Sequence, residues 1–258
     1  MSEALGPFPA SLMTRDTPPD PELLRSLGRL VRGLSLLFWS LPVALVVCAQ
    51  SAVGDWFRQL DAFGVVPALI LTALLLHSLN LLGSFQKSER PWMAALDRAR
   101  ILAVVNLGLS PFLYWSSRVP SHHFLAGATQ ALALTGLLFL ISLNPLLSRL
   151  AAMLPDETLR LETRLFTSIN RMVLLFVLAL IAAYAVVTRI DPAWPSKFIG
   201  WLISVLPISD QAAPLVHFIA FGRQWILIFF VLLPLAMTMA LIWKIKEVIL
   251  ASVFGAAR

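Results

Sequence analysis

Apolar residues in this chain do not alternate with polar ones; they gather in long blocks. Six runs hold no Asp, Glu, Lys or Arg: 34–50, 65–84, 101–117, 124–143, 172–188 and 225–243. A helix rises ~1.5 Å per residue, so runs of this length match the ~30 Å hydrocarbon core of a bilayer. Lipid admits only helices or closed barrels, and these runs are too long for barrel strands. The pattern predicts an all-α, polytopic integral membrane bundle of about six transmembrane helices. It forms one domain over 20–258, behind a disordered, proline-containing cytoplasmic tail over 1–19.

Polar punctuation sets the helix starts. Asp20-Pro21-Glu22 orders an N-cap, a first-turn proline and an N-terminal acid, and Pro155-Asp156-Glu157 nearly repeats it. Each odd-numbered helix is therefore expected to begin several turns before lipid. Pro42, Pro111 and Pro234 fall inside runs one, three and six, where each removes a ladder bond and is expected to kink its helix. The tract 197–222 is apolar but broken by Pro207 and Pro214. It reads as an interfacial or re-entrant segment on the outer face.

Charge adds direction. The segments before, between and after the runs hold Lys and Arg unevenly. Fifteen of the twenty lie in the N-terminal lead, the second loop, the fourth loop and the C-terminus, and five in the first, third and fifth loops. That is the positive-inside pattern, and it places both termini in the cytoplasm. The net charge of +6 is thus orientation charge, with no basic patch outside the membrane flanks and no nucleic-acid footprint. Trp115 and Trp225 are expected at outer span ends, and Trp92 and Trp243 at inner ends, where amphipathic rings favour the headgroup zone. The lead into run one is long and acidic-to-neutral, unlike a cleaved signal peptide. The expected location is the bacterial cytoplasmic membrane.

Composition agrees. The chain is 59% hydrophobic and 13% charged, against about 45–50% apolar for a soluble domain. A single cysteine, Cys48, allows no intrachain disulfide.

Chemistry is scarce. No ionisable carboxylate, Lys or Arg lies within the runs, which argues against coupled transport through a buried acid. His77 is the only histidine inside a run, and a b-type haem needs a second axial partner, so no cofactor is expected. His122, His123 and His217 lie in outer loops without metal-ligand spacing. There is no HExxH, no GxSxG nucleophile motif and no glycine-rich phosphate loop. The chain therefore reads as a protein that is not an enzyme, with no metal site.

Two groups of residues remain. His77, Asn80, Asn106, Asn144 and Asn170 fall towards inner helix ends, as interhelical hydrogen-bonding groups or as a polar cytoplasmic mouth. Arg160, Arg164 and Arg171 share one helical stripe beside Leu161, Leu165, Ile169 and Met172, and Arg25, Arg29 and Arg32 share another. Such stripes suit lipid headgroups, as snorkelling anchors, or an acidic protein partner at the cytoplasmic face.

The leads also resemble one another. "PDPELLRSLGRL" and "PDETLRLETRL" align through Glu22/Glu157, Leu24/Leu159, Arg25/Arg160, Arg29/Arg164 and Leu30/Leu165, and "SLN" recurs at Asn80 and Asn144. The match fits a tandem helical-hairpin repeat, or the convergence of leucine-rich helices. With six spans, inner termini and the broken tract "WLISVLPISDQAAPLVHFIAFGRQW", the layout resembles the permease subunits of the ABC-2 exporter class. That resemblance implies a transport permease working with a partner ATPase. Three hairpins also invite comparison with mitochondrial carriers, whose Pro-x-acid-x-x-basic signature is missing after Pro42 and Pro111. The leading expectation is a non-catalytic subunit or scaffold of a membrane complex.

Overall fold

The computed structural model describes residues 21–53, 61, 63–85, 89–119, 121–153, 157–190, 193–194, 197 and 213–254. The tail over 1–19 and the stretch 198–212 lie outside them. The side-chain surroundings of His217 and Trp225 also lie outside.

Among the described residues the chain is all-helical. Six helices follow in order: α1 Pro21–Val53, α2 Val66–Leu82, α3 Arg90–Arg118, α4 His123–Ala152, α5 Glu157–Ile190 and α6 Ala213–Phe254. Among the described residues four stretches are long and apolar enough to cross a membrane: Arg25–Ser51, Phe63–Leu82, His123–Ala152 and Arg160–Ala183. Helix α3 is not among them, because Asn106, Ser110, Pro111, Tyr114, Ser116 and Ser117 dilute its apolar half.

Helix starts obey their leads. Pro21 opens α1, Pro91 is the second residue of α3, and Glu157 places an acid at the positive end of α5. Residues 213–222, expected within the interfacial segment, instead form the first turns of α6, with Pro214 at its second position. Helix α4 also runs past residue 143, through Pro145, to Ala152.

The chain continues as helix through Pro42, Pro111 and Pro234. At Pro111 the reason is visible. The ring leaves the Leu107 carbonyl without its usual donor, and the Ser110 hydroxyl donates to that carbonyl at 2.9 Å.

Each helix packs on its sequence neighbour; α6 returns to α1 and α4, and α1 also touches α3. The core gathers at the end of the bundle where the basic residues cluster. Leu30, Leu34, Leu37 and Leu41 recur every three or four residues along one face of α1. They share that core with Leu79 and Leu82 of α2, Leu96 of α3, Leu143 and Leu147 of α4, and Ile242 and Ile245 of α6. Trp92 is wholly buried there. It is a core residue rather than the headgroup anchor its sequence position implied. The small residues Ala179 and Ala183 of α5 and Ala236 and Ala240 of α6 are exposed.

Two glycines mark close approaches. A Cβ on Gly33 of α1 would lie 3.1 Å from the Leu81 Cβ and 3.1 Å from the Ser78 carbonyl, so the α1 backbone sits tight on α2. A Cβ on Gly64 would run into the Tyr114 ring. Along the first half of α4 there is room at both glycines: a Cβ on Gly127 or Gly136 would meet nothing within 4 Å.

Candidate functional site

The five polar residues expected near the inner helix ends divide into two sets. His77 and Asn80 are exposed on α2 and do not join a helix interface. The buried face of α2 carries Leu75, Ser78, Leu79 and Leu82, so residues 77 and 80 turn outward. Asn106, Asn144 and Asn170 are buried.

Asn144, Asn170 and Thr238 form a junction of three helices. The Asn170 Nδ2 of α5 donates to Asn144 Oδ1 of α4 at 2.9 Å and to Thr238 Oγ1 of α6 at 3.0 Å. The Thr238 hydroxyl donates in turn to the Pro234 carbonyl at 2.8 Å, one turn back on its own helix. Asn144 Nδ2 and Asn170 Oδ1 have no protein partner among the described residues. A second contact joins α4 to α3, where the Thr135 hydroxyl donates to Asn106 Oδ1 at 2.6 Å. Thr238 and Thr135 were not legible as partners, because threonine is common in apolar helices and its rotation is unknown from sequence.

Two arginines close helix ends. Arg100 of α3 donates to the Leu79 carbonyl in the last turn of α2 at 3.4 Å. Arg160 of α5 donates to the Ala152 carbonyl at the end of α4 at 2.9 Å. Both place a cation at the negative end of a helix dipole; the Leu79 carbonyl also accepts from the Gly83 N–H. Arg160 thus leaves the expected stripe for a capping role, although it remains exposed. Arg164 and Arg171 are exposed on α5, and Arg25, Arg29 and Arg32 are exposed on α1.

On the inner side of α5, Glu162 pairs with Lys244 of α6. At the opposite end of α3, Tyr114 is held from both sides. Its hydroxyl donates to the Asp61 backbone carbonyl. Arg118 Nη2 donates to the same hydroxyl at 2.7 Å and lies 3.4 Å from the Asp61 carboxylate. The Tyr114 hydrogen bond is the main cause that raises the Arg118 pKa above its ordinary value. Asp61, at φ 44°, adopts a left-handed conformation that few non-glycine residues take. The cluster ties the turn before α2 to the end of α3.

No three His, Cys, Asp or Glu side chains converge on one point among the described residues. His122 and His123 are exposed at the start of α4. The clefts found are shallow and apolar: one is lined by Phe63, Val66, Pro67, Ile70 and Leu71, and another by Phe38, Ala236, Met239, Ala240 and Trp243 beside Lys244 and Glu247. Comparison with protein-family models, with curated proteins and with solved structures returns no match, so function is inferred from the chain's own residues.

Proposed function

We propose that this chain is a non-catalytic subunit or scaffold of a membrane complex. It crosses the bacterial cytoplasmic membrane six times with both termini inside. The observation that carries this reading is the use made of buried polar groups. Asn170, Asn144 and Thr238 bind three helices to one another, and Asn106 binds Thr135, so polarity at depth goes into helix association. Partner subunits dock at the cytoplasmic face.

Orientation is supported by Arg100 and Arg160. Both cap the C-terminal ends of even-numbered helices, which points those ends to the cytoplasm with the other arginines. Arg100 lies deeper in its helix than Arg160 does, so this likeness of the two hairpins is one of task rather than register.

Purification in mild detergent tests the function. A scaffold co-purifies with other integral subunits, whereas a stoichiometric nucleotide-binding subunit would replace this reading with that of a transport permease. Reporter fusions at Ser88 and Ala193 test the topology: opposite sides are expected, and the same side for both would reject six spans.

A further inference from the structure

The exposed arginines of α1 and α5 do not stand on faces of their own. At 100° per residue, Arg25, Arg29 and Arg32 lie within about 60° of one another on the wheel of α1. Trp39, Val43 and Val46, all exposed, follow on that same side further along the helix. On α5, Arg164 and Arg171 flank a stripe of exposed Leu161, Leu165, Ile169 and Met172. Met172 is 70% exposed, Leu165 65% and Leu161 64%, although the segment is rich in charge. The apolar stripe then continues without a change of angle into exposed Phe176 and Leu180. The opposite side of α5 holds buried Thr163, Asn170 and Leu174, so the outward face is fixed by packing.

We infer that these two faces form an interaction surface for the anionic phospholipids of the cytoplasmic leaflet. The acyl chains lie along Trp39 and Val43 and along Phe176 and Leu180, and the phosphates meet Arg25, Arg29, Arg32, Arg164 and Arg171. The inference rests on the membrane reading proposed above. Continuity selects the occupant: the surface that meets lipid at Phe176 is the surface that carries Leu165, with Arg164 along its edge. Helix α5 has 34 residues, about 51 Å at ~1.5 Å per residue, so it extends past the ~30 Å core into the headgroup layer. There a leucine stripe beside arginines is matched on both counts. A second copy docked face to face on α5 would bring Arg164 and Arg171 against their own equivalents, an opposed pairing of like charge.

The test uses the full chain, purified in detergent and placed in nanodiscs of phosphatidylglycerol and phosphatidylcholine mixed in equal parts. Lipids retained by the protein after detergent exchange are then counted by native mass spectrometry. Phosphatidylglycerol is expected to be enriched in the wild type. Arg164→Gln and Arg171→Gln are each expected to weaken that preference about fivefold, the equivalent of ~1 kcal/mol per basic residue near an anionic surface. Arg164→Lys, which keeps the charge, is expected to keep the preference. Equal retention of the two lipids by the wild type would overturn the inference, whatever the variants do. So would a dimer broken by Arg164→Gln. Release of the chain from native membranes by alkaline carbonate would instead overturn the membrane reading, so the two failures are distinguishable.

Discussion

At the scale of single residues, the buried amides are where this chain commits itself. Asn170→Leu removes both bonds of the three-helix junction and leaves Asn144 Oδ1 without its donor. Its expected cost is about 1–2 kcal/mol, within the range for polar contacts between helices in membranes, read as a lower unfolding midpoint in detergent. Asn80→Leu, at the matching "SLN" position, is expected to change that midpoint little because Asn80 is exposed. The contrast shows a limit of pattern reading. Both motifs bury the leucine, but only α4 also turns its asparagine inward. A helix apolar on every side carries no stripe from which its rotation could be read. Trp92 was illegible for the same reason: an aromatic near a span end has the same spacing whether it faces headgroups or the core.

Gly64 gives a second residue-scale expectation. Gly64→Ala drives a methyl into the Tyr114 ring, and overpacking of this kind costs about 1–3 kcal/mol. Gly64→Ala should cost less in a Tyr114→Ala background than in the wild type, since the obstructing ring is gone. The same thermal measurement checks it, and an equal cost in the two backgrounds would reject the clash.

At the scale of elements, helix existence was readable and helix ends were partly so. Six charge-free runs fell on six helices, and the leads at Pro21 and Glu157 marked the starts of α1 and α5. Helices α1 and α5 begin in charged sequence, several turns before their runs, as their leads implied, whereas the run underestimated α4, which passes through Pro145. Nothing local identified Arg100 and Arg160 as caps, since each serves a helix other than its own. Arg160→Ala and Arg100→Ala should each cost about 0.3–1 kcal/mol through the lost dipole partner. Fraying should be confined to the last turns of α4 and α2 respectively, visible as faster amide exchange there.

At the scale of the whole molecule, helices α1 to α4 and α6 share one core, while α5 stands at the rim. Among its described residues only Thr163, Asn170, Leu174 and Val177 are buried. In detergent, α5 should therefore exchange its amides faster than α1 does, with the slowest positions near Asn170, where bonds reach two other helices. Equal protection along α1 and α5 would contradict this order. That α5 is peripheral could not be read from composition, because its strong amphipathic pattern would serve equally for a core edge or a membrane edge.

The core gathered at the basic end has a mechanical corollary. A bundle packed most heavily at one end would pivot there, with α3 and α4 leaning together because Thr135 binds Asn106 and the Phe112 ring meets Phe124. Bilayers of different thickness ask for such leaning, since helices answer mismatch by tilting. The membrane's width would then be registered at the far mouth of the bundle while the near one holds its shape.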